Sequence, residues 1–181
     1  MLPVLLIVIP LVSGLIAFLV KQEKSVKAWA LLSAIVTMAV SIAGMLTKND
    51  SWLHFNQPWL ESLGSSFNVG LDGMGKVLCL LTGISFPVIF VATWNSSYRK
   101  PNNFFGLMLL SLAGLMGVFV AMDALLFYFF WELALIPVYF LCSMWGGERR
   151  IAVTFKFFVY TFIGSILMLV SIIYVYFQTP E

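Results

Sequence analysis

The sequence predicts an all-α, polytopic membrane protein: a bundle of six transmembrane helices in one membrane domain, with the N-terminus and C-terminus outside. Of its 181 residues, 61% are hydrophobic and 10% charged, and the mean hydropathy is +1.00. Soluble domains average about 45–50% apolar and 25% charged residues, so this composition excludes an ordinary soluble enzyme, a disordered chain and a small disulfide-rich module. The apolar residues run consecutively instead of alternating, which excludes a membrane β-barrel.

Six stretches are long enough to cross a bilayer, whose apolar core takes about 20 helical residues. They contain 18 to 28 residues each, and charged residues separate them. Four of the stretches contain no charged residue, whereas the fifth contains Glu132 and the sixth contains Lys156. The predicted spans are residues 2–20, 28–47, 77–94, 104–122, 124–147 and 151–178.

Lysine and arginine residues are distributed unevenly between the two ends of the predicted bundle. Eight lie in or beside the loops after spans one, three and five, and two lie on the opposite side. Cytoplasmic loops carry an excess of basic residues, so this bias predicts that the three loops are cytoplasmic. The eight are Lys21, Lys24, Lys27, Arg99, Lys100, Arg149, Arg150 and Lys156, and the two are Lys48 and Lys76. The aromatic residues of segment 48–73 are expected at the outer membrane interface.

Several classes of site lack the residues that they need. The sequence has one histidine, His54, and two cysteines, Cys79 and Cys142, which both lie in apolar runs. This set predicts no disulfide, metal site, iron–sulfur cluster or bis-histidine haem. A net charge of +2 and the absence of a glycine-rich phosphate loop argue against nucleic-acid and nucleotide binding. We therefore expect no cofactor and no metal in this chain, and no nucleic-acid partner.

Glu132 is the most informative residue, because an ionisable group within a membrane span is expensive and is by default a functional candidate. Counted from Asp123 at 1.5 Å per residue, it lies about 13 Å into the membrane. The alternative is a neutral carboxylic acid that hydrogen-bonds in a helix interface. Its polar neighbours favour a function, since they share one arc of the helix that should face protein or water. They are Tyr128, Tyr139, Cys142 and Ser143.

Two further residues near Glu132 leave alternatives open. Pro137 removes the backbone hydrogen bond to the carbonyl of Leu133, which either frees a carbonyl to hold water or only kinks the helix. Lys156 begins span six and either extends to the interface or belongs to a proton path. Helix geometry separates its depth from that of Glu132 by roughly 10 Å, which is too far for direct contact.

Other polar residues within or beside the spans predict structure instead of chemistry. Asp123 and Asp72 are expected to cap the helices that follow them, since aspartate favours the N-cap position. The pairs Ala113–Gly117 and Thr161–Ser165 have the small-xxx-small spacing that predicts close helix packing.

Residues 122–141, MDALLFYFFWELALIPVYFL, contain a string typical of a known family. The WE followed by P-x-YFL resembles the chain M family of bacterial proton-pumping NADH:quinone oxidoreductase (respiratory complex I). It is also similar to subunit 4 of the mitochondrial enzyme, and sister antiporter-like chains share the glutamate. The strings VGLDGMGKVLCLLTG at 69–83 and KFFVYTFIGS at 156–165 agree with the same family. The resemblance covers essentially the whole chain, although the family proteins run to roughly fourteen spans.

The resemblance implies roles for individual residues. Glu132 matches the family's essential glutamate, Pro137 and Tyr139 match its surrounding motif, and Lys156 matches a lysine at the start of span six. Glu132 and Lys156 are then the candidate proton-transfer residues, with Tyr128, Pro137 and Tyr139 in supporting positions. The implied activity is proton translocation coupled to NADH oxidation by quinone, with NADH and quinone used by other subunits and no redox centre in this chain.

The resemblance also implies a setting. The partners would be the other membrane subunits of complex I, especially the sister antiporter-like chains, in the lipid bilayer of the bacterial inner membrane. Because the family's paired lysine lies beyond this sequence, we expect an N-terminal fragment that is inactive alone. Two other interpretations stay open: a sodium–proton antiporter subunit, and a structural membrane protein in which Glu132 is only a packing group.

Overall fold

A computed structural model of the chain describes residues 1–47, 49–60 and 65–178. Lys48, one of the two basic residues on the predicted outer side, lies outside these ranges. Within them, six helices are long and apolar enough to cross a membrane, which confirms the predicted class. The elements are α1 (Leu2–Leu19), α2 (Glu23–Leu46), α3 (Asp50–Leu53), β1 (His54–Leu60), β2 (Ser65–Gly70), α4 (Gly73–Ala92), α5 (Pro101–Val120), α6 (Ala124–Trp145) and α7 (Arg150–Gln178).

Three helices begin several residues earlier than the spans that the sequence predicts. Helix α2 begins at Glu23 instead of residue 28, α4 at Gly73 instead of residue 77, and α5 at Pro101 instead of residue 104. The first two turns of α2 and α4 therefore contain Lys27 and Lys76. A helix satisfies its own backbone hydrogen bonds and can continue into the interface, whereas a charge-free run marks only the apolar core.

Contacts between helix termini define the two ends of the bundle. Asn102, at the start of α5, donates a hydrogen bond to the carbonyl of Phe18 at the end of α1 (3.2 Å). Lys27, near the start of α2, bonds to the carbonyl of Trp94, just after α4 (2.9 Å). We call this the basic end, where α1, α4 and α6 end and α2, α5 and α7 begin. At the opposite, hairpin end, the Met1 ammonium donates to the carbonyl of Trp52 (2.9 Å).

Helix α5 forms the centre of the core. It packs against α1, α2, α4 and α6, and a row of its side chains is fully buried. Glycines allow α6 to approach closely, as the small-residue spacing predicted. A Cβ atom added to Gly114 would lie 2.7 Å from the Cα of Ala134, and one on Gly117 would overlap the ring of Phe130. This contact fixes α6, the helix of Glu132, against the core.

A β-hairpin covers the hairpin end, in the segment where the sequence predicted only interfacial aromatic residues. Strands β1 and β2 pair antiparallel, with His54 opposite Gly70 and an irregularity between Pro58 and Leu60. The hairpin is tied to the bundle by a hydrogen bond from the Met122 amide to the carbonyl of Asn68 (2.9 Å). Because the strands are short and polar residues interrupt their alternation, the period-two signal is weak.

Helix α7 lies at the edge of the bundle. Its helix-to-helix packing is against α6, and its two buried residues within the described range are Thr154 and Ser165. Most of its apolar side chains are exposed. The interface between α6 and α7 is therefore bounded on one side by the bundle and open on the other.

Candidate functional site

Glu132 lies in the middle of α6 and is half-buried. Its carboxylate Oε1 accepts a hydrogen bond from the hydroxyl of Ser165 on α7. Ser165 is only 3% exposed and Glu132 is half-buried, so the bond lies between the two helices and is partly shielded. The intramembrane carboxylate is thus held in a defined position by a partner from the next span.

The sequence interpretation missed Ser165, because it treated this residue only as one of a small-xxx-small pair. A signal was present in the helix geometry. Glu132 lies 13 residues before the end of α6 at Trp145, and Ser165 lies 15 residues after the start of α7 at Arg150. At 1.5 Å per residue, both lie about 20 Å from the basic end, so antiparallel helices bring them to the same depth.

The polar arc around Glu132 does not have one uniform environment. Tyr128, Tyr139 and Ser143 are half-buried, as expected for a face directed at protein. Cys142 is exposed, and the expectation that the arc faces protein or water stays a prediction. The arc spans about 100° of the helix circumference, and α7 covers only part of this width. The edge of the arc at Cys142 is therefore exposed.

Tyr139 links α6 to α7 through its ring. Its centroid lies 5.1 Å from that of Phe158 in an edge-to-face arrangement. Such ring pairs add about 0.5–1.5 kcal/mol to the burial of their surface. Tyr139 therefore positions the two helices whose contact holds Glu132, and Tyr128 lies one turn from Glu132 on the other side.

Pro137 is buried inside α6, which stays helical from Ala124 to Trp145. The side of α6 that contains Pro137 faces an apolar cavity of about 270 Å³ between α1, α5 and α6. Its lining is entirely apolar and includes Leu11, Leu107 and Leu133. An apolar cavity of this kind does not hold ordered water, so this surrounding favours the packing alternative for Pro137.

Lys156 is exposed in the second turn of α7. Within the described part of the chain, no ion pair joins it to Glu132. Helix α7 contributes Ser165, not Lys156, at the depth of the carboxylate. The two candidate proton-transfer residues therefore belong to the same pair of helices but do not meet.

Lys27 is a charged residue whose burial the sequence did not predict. It is 7% exposed and donates hydrogen bonds to the carbonyls of Trp94 (2.9 Å) and Ser96 (2.8 Å). It also forms an ion pair with Glu23 (2.8 Å). A cation is favoured at the C-terminal end of a helix, so Lys27 closes the end of α4 instead of lying in a free loop.

Both predicted N-caps are present. Asp123 accepts hydrogen bonds from the amides of Leu125 (3.0 Å) and Leu126 (2.9 Å), and Asp72 accepts one from the amide of Gly75 (2.6 Å). Asp123 also accepts a hydrogen bond from the Ser65 hydroxyl (2.9 Å), so it ties the hairpin to the start of α6.

The part of the chain that the structure describes contains no group of three or more histidine, cysteine, aspartate or glutamate side chains able to hold a metal ion. Cys79 and Cys142 are free thiols, one buried and one exposed.

The fold and this site define a class: a polytopic membrane protein that holds a hydrogen-bonded carboxylate between two spanning helices. Residues 121–181 match the family model described as NADH:quinone oxidoreductase/Mrp antiporter, transmembrane. Residues 121–181 are therefore similar to this family of antiporter-like membrane subunits, and several curated relatives extend the similarity over most of the chain.

Three curated relatives illustrate the similarity. F420H2 dehydrogenase subunit M of Methanosarcina mazei is 36% identical over 95% of this chain and 36% of its own length. NADH-quinone oxidoreductase subunit M of Buchnera aphidicola is 32% identical over 93% of this chain and 37% of its own. An NAD(P)H-quinone oxidoreductase chain 4 of Trichormus variabilis is 38% identical over 92% of this chain and 32% of its own. The chain spans about a third of the length of these relatives.

A solved structure shares the fold. It is a chain of the membrane-bound sulfane sulfur reductase, an archaeal respiratory membrane complex. The TM-score is 0.80 at 17% identity, over 93% of this chain and 35% of the other. At this identity the likeness concerns the arrangement of the helices alone.

Proposed function

We propose that the chain is a membrane subunit of a respiratory complex in which Glu132 takes part in proton translocation coupled to electron transfer to quinone. The observation that supports this role is the hydrogen bond between Glu132 and Ser165, which lies between α6 and α7 within the membrane-spanning part of both helices. A carboxylate at this depth costs several kcal/mol to keep, and such groups mark ion and proton pathways in membrane proteins.

Electron transfer belongs to other subunits in this proposal. The complex is proposed to oxidise NADH and reduce quinone, and this chain is proposed to carry no cofactor or redox centre. The relatives named NADH-quinone and NAD(P)H-quinone oxidoreductase support this donor and acceptor. The similarity to an F420H2 dehydrogenase subunit favours a second candidate, a complex that takes electrons from reduced F420. Glu132 has the same role in both.

The proposed partners are the other membrane subunits of such a complex, in particular sister antiporter-like chains. The exposed apolar face of α7 supports this assignment. Helix α7 packs against α6 on one side, and its other sides present apolar side chains that a neighbouring subunit could cover. The chain is proposed to be one multi-pass domain of the bacterial inner membrane, with the basic end in the cytoplasm. The second class, a sodium–proton antiporter subunit, is supported by the Mrp antiporters that share the family model.

Lys156 is proposed to act as a cationic group of the proton path. It lies on the same helix as Ser165 and nearer the basic end, but it does not contact Glu132. Protons would therefore pass between them through water or through polar groups of a neighbouring segment. Replacement by methionine should lower proton pumping, and replacement by arginine should preserve more of it.

The decisive variant is Glu132→Gln in the complete complex. Glutamine keeps the size and can still accept a hydrogen bond from Ser165, but it cannot release a proton. Substrate-driven proton pumping in vesicles should fall by about tenfold or more, in the range typical of removed proton-transfer groups. Glu132→Asp should keep part of the activity.

Glu148→Gln is the matched control, because this glutamate is exposed in the turn between α6 and α7. It removes the same charge and should leave pumping unchanged. Normal pumping by an assembled Glu132→Gln complex would move Glu132 to the structural class. Pumping that depends on added sodium ions instead of protons would favour the antiporter alternative.

A further inference from the structure

A basic cavity lies at the basic end, where α6 ends and α7 begins. It has a volume of about 280 Å³ and is bounded by the loop before α5 on one side and by the α6–α7 turn on the other. Three of its lining residues are cations and the others are apolar or neutral. The lining comprises Arg99, Lys100, Ser143, Met144, Trp145, Arg150 and Ile151.

The positive charge of this basic cavity is not neutralised by its own lining, and Glu148 in the adjoining α6–α7 turn is exposed. None of its described lining residues is acidic, and within the described ranges no ion pair involves Arg99, Lys100 or Arg150. The starts of α5 and α7 are both at this position, and Lys100 caps α5 without a side-chain hydrogen bond. Helix N-termini carry positive partial charge, so they add to the three cations. The electrostatic potential of the cavity therefore favours an anion.

The backbone around the basic cavity is held in an uncommon conformation. Lys100 has φ 57° and ψ 67°, and it is the one non-glycine residue with positive φ among those described. The loop is fixed by a hydrogen bond from the Trp145 indole to the carbonyl of Arg99 (3.0 Å). The Trp145 ring packs on Phe104 at 5.3 Å. Left-handed non-glycine residues persist where surrounding contacts enforce them, often at ligand sites.

The apolar part of the lining indicates which anion fits. Met144 is 43% exposed and Ile151 is 70% exposed, and both adjoin the cations at the ends of spanning helices. Tryptophan and basic residues in this position are typical of the headgroup layer of a membrane. A soluble anion would use the cations but not the apolar surface beside them.

We infer that this basic cavity binds the phosphate of an anionic phospholipid, with Arg99, Lys100 and Arg150 on the headgroup and Met144 and Ile151 beside the acyl chains. Basic pockets between transmembrane helices bind acidic headgroups in this manner. The lipid would join the α4–α5 loop to the α6–α7 turn, which lie on opposite sides of the cavity. The inference concerns a site apart from Glu132 and does not depend on the proposed function.

The test is lipid binding by the full chain, purified in detergent and titrated with phosphatidylglycerol under native mass spectrometry. The triple variant Arg99→Gln, Lys100→Gln, Arg150→Gln should bind the first phosphatidylglycerol about tenfold or more weakly, because three surface cations are lost. The control triple variant Lys21→Gln, Lys24→Gln, Arg149→Gln removes the same charge at the same end. It leaves the cavity intact and should change the affinity by less than about twofold.

Additional measurements distinguish an anionic phospholipid from other ligands. Phosphatidylcholine should bind weakly and equally to all three proteins, and inorganic phosphate should not displace phosphatidylglycerol. Circular dichroism should show equal helix content in the unmodified chain and both triple variants. A loss of binding can then be distinguished from misfolding. An equal loss of phosphatidylglycerol affinity in both triple variants would overturn the inference, because it would indicate a nonspecific effect of charge. Displacement of phosphatidylglycerol by inorganic phosphate at comparable concentration would also overturn it, because it would indicate a site for a soluble anion.

Discussion

The hydroxyl of Ser165 on α7 donates a hydrogen bond to the carboxylate of Glu132 on α6, at the same depth of the bundle. The two residues come from adjacent antiparallel spans that are otherwise joined mainly by apolar and aromatic contacts. A hydroxyl is both donor and acceptor, so Ser165 can fix the carboxylate and also pass a proton. This polar link distinguishes the α6–α7 interface from ordinary apolar packing.

Replacing Ser165 by alanine should reduce proton pumping by the complete complex by a few-fold, less than Glu132→Gln, because the carboxylate remains but loses its fixed position. The double variant should pump no less than Glu132→Gln alone, since both changes act on one link. Ser171→Ala is the control: this exposed hydroxyl on the same helix bonds only to the carbonyl of Leu167. Equal effects of the two serine variants would show that the loss is not specific to the link.

The sequence predicted the six spans and singled out Glu132, because hydropathy and an intramembrane charge are local signals. It did not predict the role of Ser165, since a partner across two helices depends on their relative depth and rotation. Lys27 was counted as a loop charge for a similar reason: its burial follows from the position of the turn after α4, which contributes the carbonyl of Trp94. The hairpin was missed because its strands lack a clear alternation and are stabilised by contacts with α5 and α6, such as that of Asp123 with Ser65.

The contact of Lys27 with the end of α4 predicts a loss of stability in Lys27→Met. The variant leaves two carbonyls without their donor and Glu23 without its partner. We expect a decrease on the order of 2 kcal/mol, measured as a lower unfolding midpoint in nanodiscs. Lys24→Met removes an exposed lysine of the same helix turn and should change stability by less than about 0.5 kcal/mol. Equal midpoints for the two variants would contradict the closing role of Lys27.

The close approach of α5 and α6 predicts that Gly114 tolerates no side chain. Gly114→Ala places a methyl group within 2.7–2.8 Å of the backbone of Ala134, so the helices must separate. Such overpacking costs about 1–3 kcal/mol. Gly164→Ala is the control, because nothing lies within 4 Å of its added Cβ, and it should be neutral or slightly stabilising. Thermal unfolding of both variants measures the difference, and a stable Gly114→Ala protein would refute the tight contact.

The basic bias predicts the orientation of the chain. Single cysteines at Lys21 and Ser97, introduced into a variant without Cys79 and Cys142, should react in whole cells only with membrane-permeant thiol reagents. A cysteine at Ser51, at the hairpin end, should react with an impermeant reagent added outside. The reverse pattern of labelling would place the basic end outside the cell and overturn the proposed topology.

If Glu132 exchanges a proton during turnover, infrared difference spectroscopy of the complete complex should detect the change in its protonation. Reduction by the electron donor should produce a difference band in the C=O stretching region of protonated carboxyl groups. The band should shift in Ser165→Ala, which removes the hydrogen bond to the carboxyl group, persist in Glu148→Gln, and disappear in Glu132→Gln. A spectrum of Glu132→Gln identical to that of the unmodified complex would show that Glu132 keeps one protonation state, which contradicts its role in proton transfer.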